Sequence, residues 1–274
     1  TQLNTLLAPK ALAPTNLLSA DGFMSFFDKK IETICDATSM SPPPSIPSRL
    51  SPAFSSFGHV TADDIINILK TMPSIQCALD PVPTWLLKKA SRHPCTIAAM
   101  VNSSFTQGIF PNSQKHAIVR PLLKKPNLNP LEFKSYRPIS NLSFISKVVE
   151  KLAVQRFTAH SESNHLFPSH QSAYRKFHST ETAVTAVHND IVRAIDSGQV
   201  SALVLLDLSA AFDTIHHSTL QTILHDRFGV NSSALNWFES YHSGRTQSLH
   251  IGKQSSATSQ LKRGVPQGSI VGPV

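Results

Sequence analysis

Residues 203–213 read Leu203-Val204-Leu205-Leu206-Asp207-Leu208-Ser209-Ala210-Ala211-Phe212-Asp213. Its first half is apolar apart from Asp207, which predicts a buried strand from Leu203 to Leu208. A carboxylate buried there needs a metal, a proton or a hydrogen-bond partner, because its desolvation is costly. The small residues that follow would let a ligand approach the backbone amides. The pattern suits a Mg²⁺-bound triphosphate, and it equally suits an acid that caps the next helix or pairs with a lysine.

The composition restricts the class of protein. The chain has 274 residues, 41% hydrophobic and 15% charged, which allows one large domain or two small ones and excludes disorder over the whole length. No apolar run approaches the roughly 18 residues that a membrane helix needs, so no membrane partner is expected. The three widely spaced cysteines predict neither a zinc site nor a disulfide framework, which favours an intracellular setting. Because the chain begins with Thr1, we expect it to be an excerpt of a longer protein.

The positive charge is concentrated in one segment. The formal net charge is +8, from 25 Lys and Arg against 17 Asp and Glu. Residues 115–156 contain only two acids, Glu132 and Glu150, but nine of the basic side chains: Lys115, Arg120, Lys124, Lys125, Lys134, Arg137, Lys147, Lys151 and Arg156. If these cations formed one face, the segment could neutralise phosphates, and a solvated basic surface is the alternative.

Strand and helix signals alternate along the chain, which predicts an α/β or α+β fold. The predicted strands are His116 to Leu123 and a hairpin of Gln247 to Ile251 with Ala257 to Leu261. The predicted helices follow the N-caps Ser19, Thr61 and Ser179, follow Pro83, and cover Ser146 to His160, Ser218 to Phe228 and Ser232 to Tyr241. The proline-rich run from Ser41 to Pro47 predicts a linker.

Several short motifs follow one another between residues 78 and 269. They are Ala78-Leu79-Asp80-Pro81-Val82-Pro83, Tyr136-Arg137-Pro138-Ile139-Ser140, Gln171-Ser172-Ala173-Tyr174-Arg175 with His178-Ser179-Thr180-Glu181-Thr182, the stretch from Leu205 to Asp213, and Arg263-Gly264-Val265-Pro266-Gln267-Gly268-Ser269. In this order they resemble the reverse transcriptase domain of non-LTR, LINE-type retrotransposons over residues 78–274. The wording of the Asp207 motif is closer to that family than to group II intron maturases or telomerase.

The resemblance implies a right-hand polymerase fold of the α+β class. We expect a helical connector and proline-rich linker over residues 1–52, a helical N-terminal extension over 53–112, fingers over 113–200 and a partial palm over 201–274. The family's next palm element carries two adjacent aspartates, whereas the one adjacent pair in this sequence is Asp63-Asp64. We therefore expect the paired-aspartate hairpin, the thumb and the endonuclease domain of the parent polyprotein to lie outside this chain.

The resemblance also implies roles for individual residues. Asp207 would hold both catalytic Mg²⁺ ions, with Mn²⁺ as an alternative metal and the Leu208 carbonyl as a second ligand. Phe212 would be the steric gate that selects deoxynucleotides, although it could instead be a core aromatic. Lys124 and Arg137 would contact the triphosphate, one as a point charge and the other as a planar fork, unless they are ordinary surface residues.

The second motif implies a floor for the substrate. Gln267 and Gly268 would lie under the incoming nucleotide and the template, and an ordinary turn is the alternative for the glycine. Arg263 would contact template phosphate or pair with an acid. Asp213 is expected to support the turn rather than bind metal.

These inferences predict a fragment of an RNA-directed DNA polymerase that takes an RNA template, a DNA primer and deoxynucleoside triphosphates. By resemblance it would act in the nucleus and cytoplasm as a ribonucleoprotein, and on its own it is expected to bind metal weakly and not to polymerise. A non-catalytic nucleic-acid-binding remnant of a decayed element is the alternative. A phosphatase with an aspartate nucleophile ranks last, because Ser209 stands where that chemistry needs a second acid.

Overall fold

The computed structural model describes residues 18–41, 51–89 and 94–274. Within these ranges the chain forms eight α-helices and five strands, which confirms a mixed α/β architecture. The helices are α1 (Ala20–Thr38), α2 (Ala62–Thr71), α3 (Thr84–Lys89), α4 (Pro94–Gln107), α5 (Phe144–Ser163), α6 (Thr180–Asp196), α7 (His217–Phe228) and α8 (Ser232–His242). The strands are β1 (His116–Leu123), β2 (Tyr136–Asn141), β3 (Thr246–Ile251), β4 (Gln254–Ser255) and β5 (Ser259–Gln260).

The predicted helix starts are confirmed by their caps. The Ser19 hydroxyl accepts a hydrogen bond from the Gly22 N–H, and Thr61 and Ser179 each form a capping box with the residue three positions on. These contacts satisfy amide groups that the first helical turn leaves free. The predicted linker falls mostly on residues 42–50, which lie outside the described residues.

The sheet follows the order β2, β1, β3, β4, with β5 also paired to β3. Strands β1 and β2 are antiparallel and place Leu122 opposite Arg137, while β1 and β3 run parallel. Sequence patterns did not predict β2 as a strand or α4 as a helix. The antiparallel ladder matters for the site because it holds Lys124 and Arg137 at one end of the sheet.

Two hydrophobic clusters support this arrangement. The larger one lies among α2, α4, α5, α7 and α8, and Trp237 is fully buried within it. The smaller one lies where α1 covers the sheet, and it joins Phe23 to Tyr136 of β2 and Leu249 of β3. Helix α1 is therefore packed onto the strands that carry the basic residues.

The segment from α6 to residue 208 differs from this packed body. Helix α6 forms as predicted, but none of its residues is buried, so its apolar face has no cover among the described residues. The described part of the chain also holds no helix long and apolar enough to cross a membrane.

Candidate active site

A cavity of about 890 Å³ lies between α1, the end of the β1–β2 ladder and the turn after Asp207. It brings together six of the eight residues that the motifs single out, from four separate stretches of sequence: Lys124, Arg137, Asp207, Leu208, Phe212 and Gln267. The remaining lining residues include Lys30, Lys134 and Asp213. A cavity with this mixture of cations and carboxylates can accommodate a metal-complexed anion.

The segment that carries Asp207 is not the buried strand that the sequence predicts. Residues 201–208 pair with no strand of the described chain, and Leu205 and Leu206 are 84% and 89% exposed. The prediction of a strand from Leu203 to Leu208 is wrong for this structure, because a single extended segment cannot satisfy its backbone groups or bury its side chains without a partner. Asp207 is exposed as well, although it lines the cavity.

The turn after Asp207 is closed by its own backbone. The N–H groups of Asp213 and Thr214 donate to the Ala210 carbonyl over 2.8 and 3.2 Å, with Ala210 in the left-handed region at φ 54°. A small side chain keeps the cost of that conformation low. The turn directs Phe212 to the cavity wall, where its half-buried ring meets the edge of Tyr174 at a centroid distance of 6.4 Å.

The second motif is attached directly to this turn. The Val265 N–H donates to the Phe212 carbonyl and the Gly264 N–H to the Ile215 carbonyl, each over 2.8 Å. Gly264 has φ +75°, and a β-carbon there would come within 2.6 Å of the Phe212 oxygen. Only glycine therefore allows the two motifs to approach so closely. The motif match alone had not assigned this role to Gly264.

Asp213 is a partly buried acid of the cavity, and its burial changes its pKa. Its carboxylate accepts a hydrogen bond of 3.3 Å from Gln267 Nε2. Burial raises the pKa of Asp213 to about 6, and the nearby Lys30 ammonium opposes that rise. A carboxylate that loses hydration on folding is stabilised by any cation that enters beside it. Sequence reasoning gave Asp213 a supporting role and did not detect this burial.

The basic residues of the cavity lie close enough to repel one another. Lys124 donates through Nζ to the Lys134 carbonyl over 2.7 Å. Partial desolvation, followed by the charges of Lys30 and Arg137, lowers the pKa of Lys124. The positive charge of Lys134 is partly offset by Glu132, with which it forms an exposed ion pair of 2.9 Å. The cavity thus concentrates positive charge, which a phosphate group would relieve.

The basic segment does not form one continuous face. Lys115 is buried, and its Nζ donates to the Ser240 hydroxyl over 3.4 Å. Arg156 donates to the Gly58 carbonyl and pairs with Asp64 over 3.2 Å. Three cations of the segment, Lys124, Lys134 and Arg137, line the cavity. The hypothesis of a single phosphate-binding face for residues 115–156 is therefore too broad.

Two residues of the second motif lie apart from the cavity lining. Gly268 has φ +120°, and a β-carbon there would approach the Ser140 carbonyl oxygen to 2.6 Å, so its own fold already requires glycine. Arg263 lines a separate cavity of about 560 Å³, together with Asp28 and Glu32 of α1. Contact of Gly268 with substrate and of Arg263 with template remain predictions.

A buried acid, missed by sequence reasoning, holds the second motif from behind. Glu150 of α5 is fully buried, and its carboxylate accepts hydrogen bonds from the Ser146 hydroxyl at 2.8 Å and the Ile270 N–H at 2.7 Å. Burial raises the pKa of Glu150. The sequence signal was available, because Glu150 is an acid within an apolar stretch of the predicted helix, and its neighbours Val149, Leu152 and Ala153 are all buried.

The donors in the cavity fit a hard divalent cation. Mg²⁺ is commonly bound by one or two carboxylates that leave positions for substrate phosphates and water. The cavity offers the carboxylates of Asp207 and Asp213, the second of them partly buried. No cluster of three acidic, histidine or cysteine ligands occurs in the ranges that the structure describes. The cavity therefore supplies part of a coordination shell.

Comparison with known proteins identifies the family. The model of the family "Reverse transcriptase (RNA-dependent DNA polymerase)" matches residues 123–274, more than half of the chain. The chain therefore belongs to the reverse transcriptase family. This match confirms the resemblance that the motifs indicated. Apart from the α1 residues, all residues that line the cavity lie within the matched range.

Three of the relatives are named as RNA-directed DNA polymerases of Drosophila mobile elements. The chain is 28% identical over 219 residues to a probable RNA-directed DNA polymerase from transposon BS of Drosophila melanogaster, covering 78% of this chain and 24% of the relative. It is 32% identical over 178 residues to the one from transposon X-element of that species, covering 65% and 19%. It is 28% identical over 177 residues to that of mobile element jockey of Drosophila funebris, again covering 65% and 19%. The chain thus spans a quarter or less of the length of these relatives.

Proposed function

We propose that the cavity binds a Mg²⁺-complexed deoxynucleoside triphosphate, and that the chain is the nucleotide-binding part of a non-LTR RNA-directed DNA polymerase. The observation that supports this proposal most is the convergence of Lys124, Arg137, Asp207, Phe212 and Gln267 on one cavity. These residues come from distant parts of the sequence, and an unrelated fold would have no reason to gather them. The polymerase would take an RNA template and a DNA primer.

The basic side chains would bind the phosphates. Lys124 offers three rotatable donors on a compact charge, whereas the planar guanidinium of Arg137 can hold two phosphate oxygens at once. Their mutual repulsion, with that of Lys30, would be replaced by attraction when the triphosphate enters. This exchange would orient the nucleotide with its phosphates toward the β1–β2 end of the cavity.

The acidic side would hold the metal. Asp207 and the Leu208 carbonyl would provide oxygen ligands, and Asp213 lies in the same cavity as a further carboxylate. When bound, two Mg²⁺ ions, or Mn²⁺ in their place, would activate the primer hydroxyl and neutralise the leaving pyrophosphate. Gln267 would help to keep the Asp213 carboxylate in position through its hydrogen bond.

The remaining walls would select and support the nucleotide. The ring of Phe212, held by the closed turn and by Tyr174, would clash with a ribose 2′-hydroxyl and so favour deoxynucleotides. Gln267 and Gly268 would form the floor under the base pair, and Arg263 would contact template phosphate. The strand β2 supports that floor, because the Ser140 N–H donates to the Gln267 carbonyl over 2.7 Å.

The proposal extends to the domain organisation of the whole protein. We propose a right-hand polymerase with the connector, N-terminal extension, fingers and partial palm in the ranges given above, and with the endonuclease, paired-aspartate hairpin and thumb in other parts of the parent polyprotein. Because the described residues offer only part of a metal shell, we propose that the chain does not polymerise alone. Its site of action would be the nucleus and cytoplasm, as a ribonucleoprotein.

Nucleotide binding by the 274-residue chain tests the proposal. In a calorimetric titration with dCTP and Mg²⁺, the variant in which Lys124 and Arg137 are both alanine should bind roughly tenfold or more weakly, because two charge-assisted contacts are lost. Lys125→Ala is the matched control, since Lys125 is exposed and does not line the cavity. Asp207→Ala should remove the dependence on Mg²⁺. Equal binding by all of these variants would refute the site.

The sugar gate has its own test. Wild-type chain should bind dCTP more tightly than CTP, and Phe212→Ala should bring the two affinities together because the clash with the 2′-hydroxyl disappears. Unchanged discrimination in Phe212→Ala would remove the gate role and leave Phe212 as a structural aromatic. Folding of the variant is checked by circular dichroism and thermal unfolding.

The non-catalytic remnant remains the alternative function. A remnant would bind RNA in a salt-dependent way through scattered cations, and it would bind dCTP without preference for Mg²⁺. The clustering of Lys124, Lys134 and Arg137 with two carboxylates favours the nucleotide site. RNA binding that is lost with Lys125→Ala but kept when Lys124 and Arg137 are replaced would favour the remnant.

A further inference from the structure

Helix α1 was expected to be a connector outside the polymerase body, but it is fixed to that body by specific contacts. Phe23 packs edge-on against Phe133 at 4.8 Å and Tyr136 at 5.0 Å between ring centroids. The carboxylate of Asp21 accepts a hydrogen bond of 3.2 Å from the Ala257 N–H. Burial of Phe23 and its aromatic neighbours anchors the helix, because each ring removes a large apolar area from water.

This docking makes α1 one wall of the candidate nucleotide cavity. Four of its residues line that cavity: Phe26, Phe27, Lys30 and Ile31. Lys30 is the only charged one of the four, and its ammonium interacts electrostatically with both sides of the site. It opposes the raised pKa of Asp213 and helps to lower the pKa of Lys124.

The charges around the cavity do not balance. Four cations line it, namely Lys30, Lys124, Lys134 and Arg137, against the two acids Asp207 and Asp213. Lys134 has a partner outside the lining in Glu132, whereas no ion pair within the described residues involves Lys30. A cation held beside other cations by a packed helix gains most from an anion that reaches all of them.

We propose that Lys30 of α1 is a further phosphate-binding residue, which contacts the phosphates of the incoming nucleotide from the α1 wall of the cavity. This inference rests on the proposed function of the cavity and extends it to a helix outside the matched residues 123–274. It makes α1 part of the substrate site rather than a connector. The ligand is the triphosphate group, whatever base it carries.

The neighbouring Lys29 provides a matched control. It stands on the same helix, carries the same charge and is exposed, but it does not line the cavity. In titrations of the 274-residue chain with dCTP and Mg²⁺, Lys30→Ala should weaken binding roughly fivefold, as expected for one solvent-accessible charge-assisted contact. Lys29→Ala should bind as wild type. Thermal unfolding of both variants shows whether α1 stays docked.

The ligand series identifies what Lys30 contacts. The loss caused by Lys30→Ala should be largest for dCTP, smaller for dCMP and absent for deoxycytidine, since the contact is to phosphate. A single-stranded RNA oligomer should bind wild type and Lys30→Ala equally. A variant effect that appears with RNA and not with dCTP would assign Lys30 to the template and overturn the proposal.

The outcomes separate this inference from the proposed function. If replacing Lys124 and Arg137 abolishes dCTP binding while Lys30→Ala binds as wild type, the cavity stands and Lys30 has no role in it. If Lys29→Ala and Lys30→Ala weaken binding equally, the effect is the general charge of the helix and the proposal fails. If wild-type chain does not bind dCTP at all, both proposals fall.

Discussion

Helices α5 and α6 have similar sequence signals and opposite fates in the structure. Each begins at a serine N-cap, and each repeats apolar residues at helical spacing. Nine residues of α5 are buried, whereas none of α6 is. Hydrogen bonds and caps between near neighbours are enough to form a helix, but burial requires a surface elsewhere in the chain that fits the apolar face.

The same contrast continues beyond α6. The β1–β2 ladder at the cavity pairs residue by residue and is covered by α1, while residues 201–208 keep their leucines in water. Asp207 therefore enters the cavity from a segment that packing does not hold, and Lys124 and Arg137 enter it from one that packing does. The difference predicts that the basic side of the site is already in place, whereas the acidic side needs ordering by a ligand or a strand partner.

The largest expected effect compares two leucines. Leu152→Ala in α5 should lower the free energy of unfolding by about 2–5 kcal/mol, because it leaves a cavity in the helical core. Leu205→Ala in the exposed segment should change it by less than about 0.5 kcal/mol. Urea denaturation measures both. A large loss of stability in Leu205→Ala would mean that residues 201–208 pack in solution, as α5 does.

The next effect is the pH dependence of stability that arises from Asp213, which lies between the exposed segment 201–208 and the packed body. Because the pKa of Asp213 rises from 3.8 to about 6 on folding, the folded state binds its proton more tightly than the unfolded state. The resulting stability is present below pH 4 and is lost as the pH rises through 6, by at most about 3 kcal/mol for a shift of this size.

Asp213→Asn should remove that pH dependence. Urea midpoints measured from pH 4 to 7 should fall with rising pH in wild type and less steeply in the variant. If the urea midpoints of wild type and Asp213→Asn changed with pH in the same way, Asp213 would be solvated like a surface acid. Mg²⁺ should reduce the fall in wild type, since a cation beside the carboxylate favours its charged form.

The smallest effect compares two capping boxes. Thr61→Ala at α2, whose apolar face is buried, should lower global stability by about 1 kcal/mol. Ser179→Ala at α6 should increase amide exchange in that helix and leave the global transition unchanged, because α6 contributes no buried residues. A matching global loss from Ser179→Ala would indicate that α6 is packed in solution.

Much of the fold follows from local signals in the sequence. The helix starts at Ser19, Thr61 and Ser179 and the strand from His116 to Leu123 are confirmed, since caps and alternation act over a few residues. The strand at Asp207 is wrong because a strand depends on a partner that no local pattern reveals. Helix α4 was missed.

The candidate site shows the same division. The family resemblance selected Asp207, Lys124, Arg137, Phe212 and Gln267, and all of them line the cavity. It did not reveal Lys30, whose proximity depends on how α1 docks, or Glu150, whose importance depends on complete burial. The proximity of Lys30 to Asp213 and the hydrogen bond from the Ile270 N–H to Glu150 each join segments more than a hundred residues apart, so neither contact can be predicted from neighbours in sequence.

The family, the functional groups of the site and most helix boundaries follow from residue types at short spacing, and these can be read from the chain without its structure. The tertiary structure alone decided which cations share a cavity, which glycines are obligatory and which apolar face stays exposed. Gly264 is the clearest case: it belongs to the second motif, but only the 2.6 Å approach to the Phe212 oxygen explains why no side chain fits. Packing distances of this kind are set by the whole chain, because side chains from separate segments compete for the same space.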